Sequence, residues 1–215
     1  MSNADNNLVM VFDTETTDRT DFKASYDAPQ QPNLLQLGYK VYDIASRAVI
    51  FEVGHLVNTT VFPSWKGIAA GAQEVHKIQE AHVMKYGLGV RSTADAFLSW
   101  AGKSSLFVAH NAPFDIMVMQ CFLKRAGYSP DFLQGKSKYC TMTTSTNICQ
   151  IPNPNGGGGF KWPKLNEAYP FFCGKPMDEN AHNALVDVNA CGEIFWRHVE
   201  RQMVAHIGTE GFARG

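Results

Sequence analysis

The hydrophobic residues of this chain fall into short runs typical of strands, separated by polar segments. Residues 8–13, LVMVFD, predict a buried strand, because a near-continuous apolar run is typical of a strand covered on both faces. Residues 34–43 and 48–57 are two further β-rich runs, and only the four residues IASR lie between them. We therefore expect these two runs to form a β-hairpin. Residues 105–110, SLFVAH, predict another short strand.

Helical patterns fill much of the remaining chain. The predicted helices cover residues 67–75, 93–101, 111–127 and 183–202. In the third of them, Pro113 fits the first helical turn and Gly127 fits the end. The proline-containing segment 18–33 and the glycine-rich segment 151–160, IPNPNGGGGF, predict loops. Strands followed by helices mixed with further strands predict an α/β fold, with a mixed sheet of about five strands flanked by helices.

The length and the net charge of the chain limit the number of domains and the class of protein. The 215 residues are enough for one domain with a sizeable core, which we place at 8–203, with residues 1–7 and 204–215 as flexible tails. Nineteen basic and twenty acidic residues give a net charge of −1. This balance argues against a protein that coats nucleic acid through a global positive field. It leaves open an enzyme that grips one end of a strand.

Cysteine usage and the N-terminus indicate a cytoplasmic protein. The five cysteines include no C-x-x-C pair, so neither a structural zinc site nor a disulfide framework is expected. The opening residues MSNADNN lack the pattern of a signal peptide. No run of about 18 apolar residues is present, so no membrane span is expected.

Candidate chemistry begins at the end of the first predicted strand, with Asp13 and Glu15. Side chains of a strand alternate between faces, so these two carboxylates point the same way. Like charges on one face repel each other unless a cation neutralises them. The pair alone also fits two solvated carboxylates at a strand end.

Two further acidic residues stand at the ends of predicted elements. In AHNAPFD, residues 109–115, a strand runs into a helix that carries Asp115. In HNALVDVNA, residues 182–190, His182 and Asp187 are too far apart in phase to share a face of one helix. They can meet only if His182 precedes the helix, and Asn183 is a suitable N-cap for that arrangement.

Together the segments offer four carboxylates and one histidine. Hard oxygen ligands suit Mg²⁺ or Mn²⁺ better than zinc. Two such ions about 3.5–4 Å apart can clamp a phosphodiester. His182 then fits the role of general base for an attacking water. The candidate metal ligands are Asp13, Glu15, Asp115 and Asp187.

The segments VFDTETT, AHNAPFD and HNALVDVNA, in this order, resemble the three motifs of the DEDDh 3′–5′ exonucleases. These enzymes form the DnaQ-like branch of the ribonuclease-H-like fold and include polymerase proofreading domains. The resemblance spans about residues 8–200. It implies a ribonuclease-H-like sheet, two Mg²⁺ ions with Mn²⁺ as a substitute, and the catalytic set Asp13, Glu15, Asp115, His182 and Asp187.

The resemblance also implies contacts to the 3′ end of a nucleic acid strand. The Thr residues after the acidic pair would touch the terminal nucleotide, and the segment EVHKI, which resembles the V-H-x-I of these enzymes, would pack against the terminal base. Phe114 would stack on the penultimate base and Asn111 would reach the backbone. Phe114 fits the core between helix and sheet equally well. The full set of implied substrate contacts is Thr16, Thr17, Val75, His76, Ile78, Asn111 and Phe114.

Three features depart from the pattern of these exonucleases. Asp18 stands where Gly is frequent, Lys77 also replaces a common Gly, and the loop 18–33 is longer than usual. None removes a catalytic residue. Lys77 could offer a phosphate contact.

The implied reaction is hydrolysis of the last phosphodiester at the 3′ end of single-stranded DNA, which releases nucleoside 5′-monophosphates. Two alternatives stay open at this stage. The substrate could be RNA, as in oligoribonuclease-type enzymes, because no residue of the sequence reliably detects a 2′-hydroxyl. The domain could instead be chiefly a module that binds nucleic acid or a polymerase. A homodimer is also compatible with the sequence.

Overall fold

A computed structural model of the chain describes residues 7–154, 156, 158–177 and 182–201. Its elements run from the N-terminus as β1 (Leu8–Thr16), β2 (Leu34–Asp43), β3 (Val49–Asn58), a 3₁₀ turn (Thr59–Val61), α1 (Ala70–His76), α2 (Glu80–Tyr86), β4 (Leu88–Gly89), α3 (Val90–Lys103), β5 (Ser104–Ala109), α4 (Ala112–Arg125), β6 (Ser137–Cys140), α5 (Thr141–Cys149), α6 (Leu165–Cys173) and α7 (Ala184–Glu200).

The strands of the described residues form one mixed sheet in the order β4-β3-β2-β1-β5-β6. Strands β1, β2 and β3 are antiparallel neighbours. On the other side of β1, β5 and then β6 run parallel to it. Consequently β1 and β5 end at the same edge of the sheet, which is where the residues following them can meet.

Helices cover both faces of the sheet. Odd-numbered residues of β1, such as Val9 and Val11, pack against Val188 and Phe195 of α7. Even-numbered residues face the opposite layer, where Phe12 packs in the cluster that contains residues of α3 and α4. Phe12 is fully buried, and burying a side chain of this size contributes on the order of 1.5–3 kcal/mol. Strand β1 is therefore apolar at successive positions because both of its faces are covered.

Most long elements confirm the predictions made from the pattern. The β2–β3 hairpin forms as expected, and α4 and α7 lie within one or two residues of the predicted helices. The α/β class with a mixed sheet is confirmed, although the described residues contain six strands instead of about five. Strand β1 is longer than predicted and continues to Thr16.

The short elements were not predicted. These are β4, β6, α2, α5 and α6. Strands β4 and β6 have two and four residues, too few for a periodic pattern to become visible. Helix α6 contains Pro170, and a proline is unfavourable inside a helix, so the local sequence does not favour a helix at that position.

Several predictions fall on parts of the chain that the description does not reach. The flexible tails at 1–7 and 204–215 lie, apart from residue 7, outside the described residues, and so do 155 and 157 of the glycine-rich loop. The domain boundaries 8 and 203 therefore stay predictions. Within the described residues, no helix combines the length and the hydropathy needed to cross a bilayer.

Candidate active site

Strand β1 presents Asp13 and Glu15 on the face that α7 covers. Both side chains are half-buried, and both belong to the odd-numbered set of β1, as the alternation predicted. Neither carboxylate accepts a hydrogen bond from the described residues. Two acids without donors, partly withdrawn from water, are the arrangement expected where a cation is to bind.

Asp115 reaches the same place from the opposite layer. It lies in the first turn of α4, which follows β5, and its side chain is only 2% exposed. Its Oδ1 accepts two hydrogen bonds from Thr14, one from the backbone nitrogen at 3.0 Å and one from Oγ1 at 2.8 Å. Thr14 is an even-numbered residue of β1 and therefore faces α4. A single strand thus supplies two acids on one face and the anchor for a third on the other.

The N-terminus of α7 brings in His182 and Asp187. Asn183 is the N-cap, and its side chain accepts a hydrogen bond from the backbone nitrogen of Leu185 at 3.1 Å. His182 precedes the cap with a positive φ of 71°, and its backbone nitrogen donates to the Asp187 carboxylate at 3.3 Å. This confirms the predicted placement, in which His182 lies before the helix and Asp187 one turn inside it.

Two residues of β2 fix α7 against the sheet. Gly38 is the partner of Asp13 in the β1–β2 pairing, and a Cβ at Gly38 would lie 2.6 Å from the carbonyl carbon of Ala184. Only glycine permits this approach, since real Cβ atoms do not come so close to backbone. Gln36, the partner of Glu15, accepts the backbone hydrogen bond of Ala184 at 3.0 Å.

The pKa values of Asp13, Glu15 and Asp115 reflect electrostatic repulsion between neighbouring carboxylates. Burial, followed by Asp187 and Asp115, raises the pKa of Glu15 to about 8. Burial raises the pKa of Asp115 to about 7 against the lowering effect of the Thr14 hydrogen bonds, and Asp187 adds to the rise. The pKa of Asp13 lies well above its usual range because of burial and then its three acidic neighbours.

The pKa of Asp187 is also raised by burial, and the hydrogen bond from His182 partly offsets this rise. One ligand atom each of Glu15, His182 and Asp187 lies within 4.8 Å of the other two. The site thus combines oxygen ligands, acids whose charges need compensation, and a histidine at its edge. These properties fit a divalent cation.

A cavity of about 490 Å³ opens beside the acids, and several of the predicted substrate contacts line it. The lining includes Thr16, Val75, His76 and Phe114 together with Glu15. Val75 is 49% exposed although it is apolar. An exposed apolar side chain and a half-buried phenylalanine at one cavity suit a flat apolar ligand such as a base.

His76 lines the cavity, and its hydrogen bonds define which ring nitrogen carries the proton. Its Nδ1 accepts a hydrogen bond from the backbone nitrogen of Ile78 at 3.0 Å, so the proton resides on Nε2 and is donated to the carbonyl of Thr16 at 3.2 Å. Burial lowers the pKa of His76, which keeps the ring neutral. His76 therefore ties α1 to the end of β1.

Three of the predicted substrate contacts lie away from this cavity. The Thr17 hydroxyl accepts a hydrogen bond from the backbone nitrogen of Asn33 and is buried. Ile78 packs with Leu35 and Val83 in a separate apolar cluster. Asn111 is the N-cap residue of α4 in the left-handed region, with φ of 79°. Contact of these three residues with a nucleic acid strand stays a prediction, as it does for those lining the cavity.

Sequence reasoning missed the residues that hold the acids in place. Thr14, Gln36 and Gly38 carry no chemistry of their own, so no catalytic pattern draws attention to them. For Gly38 a signal existed, because an isolated glycine inside a strand often marks a close backbone approach.

The mixed sheet covered by helices on both faces, with four acids converging where β1 and β5 end, defines the chain as an α/β protein of the ribonuclease-H-like class with a clustered-acid site. The solved structures that share this fold include E. coli exonuclease I in complex with a dA16 oligonucleotide. That comparison has a TM-score of 0.71 and 17% identity, and covers 92% of this chain and 42% of the other.

Further structures of the same protein give a consistent result. A structure of exonuclease I described as suggesting how processivity is achieved has a TM-score of 0.69 and 18% identity over 92% of this chain and 42% of that one. A zinc-bound form in complex with single-stranded DNA has a TM-score of 0.70 and 16% identity over 93% and 42%. The chain thus spans less than half the length of these neighbours. The predicted ribonuclease-H-like fold is confirmed.

Comparison with protein-family models and with curated proteins found no match. The similarity to exonuclease I that these comparisons show is therefore a similarity of fold.

Proposed function

We propose that this chain is a metal-dependent 3′–5′ exonuclease that hydrolyses the terminal phosphodiester of single-stranded DNA or of a frayed 3′ end. The products are nucleoside 5′-monophosphates. The observation that carries the proposal is the convergence of Asp13, Glu15, Asp115 and Asp187 from three elements beside a cavity with an apolar wall. A binding surface has no use for four clustered acids, three of which have a pKa that acidic neighbours raise, whereas phosphoryl-transfer sites do.

The four acids are proposed to hold two Mg²⁺ ions, for which Mn²⁺ would substitute. When bound, such ions supply charge neutralisation at the phosphodiester and lower the pKa of the attacking water. Asp13 and Glu15 are free to act as ligands because they accept no hydrogen bond from the described residues. Oδ1 of Asp115 accepts two hydrogen bonds from Thr14, and these bonds orient the carboxylate.

His182 is proposed to be the general base. It is exposed at the edge of the acid cluster, and its backbone hydrogen bond to Asp187 fixes its position relative to the acids. The histidine ring accepts the proton of the attacking water, the water oxygen forms a bond to phosphorus, and the bond from phosphorus to the 3′ oxygen breaks. The leaving oxygen takes a proton from solvent.

DNA is favoured over RNA as the substrate because structural neighbours were crystallised with deoxyoligonucleotides. RNA is the second candidate, since no described residue is assigned to a 2′-hydroxyl. A module that binds nucleic acid or a polymerase is the alternative of another class, and the four clustered acids argue against it. A polymerase or a second copy of the chain as a partner stays a prediction. We also propose a cytoplasmic location, with the cysteines as reduced thiols.

The test uses a 5′-labelled single-stranded oligonucleotide, as DNA and as RNA of the same sequence, incubated with the full chain in Mg²⁺ or in EDTA. We expect the DNA to shorten stepwise from its 3′ end in Mg²⁺ and to persist in EDTA. Shortening of the RNA alone would select the exoribonuclease. Persistence of both strands in Mg²⁺ and in Mn²⁺ would contradict the proposal.

A further inference from the structure

The cavity beside the acid cluster contains one residue that neither the fold nor the proposed chemistry explains. Among the described residues that line it, Arg19 is the one arginine or lysine, and the acids Glu15 and Asp18 line the same cavity. The sequence places Arg19 at the start of the long loop 18–33, next to the unusual Asp18.

The guanidinium of Arg19 has no partner in the part of the chain that is described. It forms neither a hydrogen bond nor an ion pair there, although Asp18 is its neighbour. The Asp18 carboxylate instead accepts a hydrogen bond from the backbone nitrogen of Arg19 at 2.8 Å. An arginine without a protein partner at a cavity keeps five donors available for an anion.

The turn that carries Arg19 is well supported. The hydroxyl of Thr16 donates to the carbonyl of Asp18 at 2.6 Å, which ties the turn to the end of β1. Thr17 exchanges backbone and side-chain hydrogen bonds with Asn33 at the far end of the loop. Both ends of the loop are thereby tied to each other and to the end of β1, where Glu15 lies.

Arg125, the last residue of α4, holds the same loop in place through hydrogen bonds. Its guanidinium donates to carbonyl oxygens of Ala28, Gln31 and Pro32 at 2.7 to 3.0 Å and to the side chain of Asn33 at 2.9 Å. Two arginines therefore serve one loop in different ways. The Arg125 guanidinium donates four hydrogen bonds to the protein, whereas the Arg19 guanidinium donates none to the described residues, and Arg19 lines the cavity.

From these contacts we infer that Arg19 is a substrate-binding residue that contacts a phosphodiester of the nucleic acid strand entering the cavity. The inference rests on the proposed function and adds a specific ionic contact to it. A chain with a net charge of −1 and an acidic site has no general attraction for a polyanion. A single well-placed arginine at the entrance then has a measurable share in binding.

The experiment compares Arg19→Gln, Arg19→Lys and the control Lys23→Gln. Lys23 lies in the same loop, is exposed and does not line the cavity, so its substitution removes an equal charge elsewhere. The KM and kcat for a single-stranded DNA oligonucleotide are measured in Mg²⁺ between 50 and 300 mM salt. Fluorescence anisotropy with the same oligonucleotide in Mg²⁺ reports binding independently of turnover.

We expect Arg19→Gln to raise KM about fivefold to tenfold at low salt with kcat changed less than twofold. The slope of log KM against log salt should fall by about 0.7, the value for one phosphate contact on a single strand. Arg19→Lys should keep the slope of the unsubstituted chain, and Lys23→Gln should leave both KM and slope unchanged. A slope for Arg19→Gln equal to that of Lys23→Gln would overturn the inference.

Two further outcomes separate this inference from the proposed function. If no variant hydrolyses the strand, the proposed function fails, and the anisotropy slopes alone decide whether Arg19 contacts the phosphate. If Arg19→Gln raises only the inhibition constant of a nucleoside 5′-monophosphate while KM for the strand is unchanged, the arginine serves the product and the inference is wrong.

Discussion

The individual acids of the site are held in different ways, and this division follows from their positions. Asp115 accepts two hydrogen bonds from Thr14, and Asp187 accepts one from the backbone of His182. Asp13 and Glu15 accept none from the described residues. The first two carboxylates are thus oriented by the protein, whereas the other two depend on whatever binds between them.

Removing one acid charge should stabilise the protein when no divalent ion is present. Asp115→Asn keeps an oxygen that accepts both hydrogen bonds of Thr14 and removes a charge that burial disfavours. In EDTA at pH 8 we expect its Tm to exceed that of the unsubstituted chain by several degrees, since about 1 kcal/mol shifts Tm by roughly 2–4 °C at this size. Differential scanning calorimetry provides the measurement.

The sign of the pH dependence follows from the raised pKa values of about 7 for Asp115 and about 8 for Glu15. A carboxyl whose pKa is raised by folding stabilises the protein below its unfolded pKa, and this contribution is lost as the pH rises through the folded value. The advantage of Asp115→Asn should therefore shrink from pH 8 to pH 5. An equal Tm at pH 8 in EDTA would speak against a buried, charge-strained cluster.

His182 can be tested as a base separately from its closeness to the acids. Its ring lies near enough to Glu15 and Asp187 to share a metal ion with them. If His182 is the base, His182→Ala should lower kcat by about 10²–10⁴ and leave the increase of Tm caused by Mn²⁺ intact. If His182→Ala abolished both the activity and the increase of Tm caused by Mn²⁺, His182 would be a metal ligand instead. The exposed His82 provides the control substitution His82→Ala.

At the level of single residues, the acids of the site could be predicted from the sequence, whereas the residues that hold them in place, such as Thr14, could not. Alternation along β1 was sufficient to place Asp13 and Glu15 on one face. The role of Thr14 depends on which element faces its side of the strand, and that is decided by packing between residues 101 positions apart. Local patterns contain no such information.

Among the elements, the placement of α7 decides whether the site forms. Its N-terminus crosses β2 at Gly38, and the adjacent strand β3 contributes Gly54, where a Cβ would lie 2.7 Å from that of Leu185. The helix cap at Asn183 and its periodicity were visible in the sequence. The strand against which the helix packs was not, because helix patterns specify a buried stripe and no partner.

Gly38→Ala should therefore lower catalytic activity indirectly, through the position of α7. The added Cβ would meet the backbone of Ala184 at 2.6 Å and displace the first turn of α7, which carries Asp187. We expect a loss of about 1–3 kcal/mol in the free energy of unfolding, together with a fall in kcat, measured by urea denaturation and by strand hydrolysis.

Gly102→Ala is the matched control for that substitution. Gly102 lies near the end of α3, and beyond its own stretch of helix no heavy atom of the described residues lies within 4 Å of an added Cβ. Replacing a helical glycine by alanine reduces the entropy of the unfolded chain, so stability should be equal or up to about 1 kcal/mol higher. Equal behaviour of the two variants would show that Gly38 does not govern the position of α7.

The whole molecule combines a net charge close to zero with an acidic site. A net charge of −1 gives no long-range attraction for DNA, and the acids repel phosphate unless cations compensate them. Binding of the strand and binding of metal should therefore be coupled. The chain matches 42% of the length of E. coli exonuclease I.

The most direct measurement is the initial rate of mononucleotide release from a 3′-labelled single-stranded DNA, as a function of Mg²⁺ concentration, for the unsubstituted chain and for Asp13→Ala. The proposed site predicts saturable release that requires Mg²⁺ and falls by at least about a hundredfold in Asp13→Ala, although the variant remains folded. Release that is unaffected by EDTA, or that Asp13→Ala retains in full, would contradict the account.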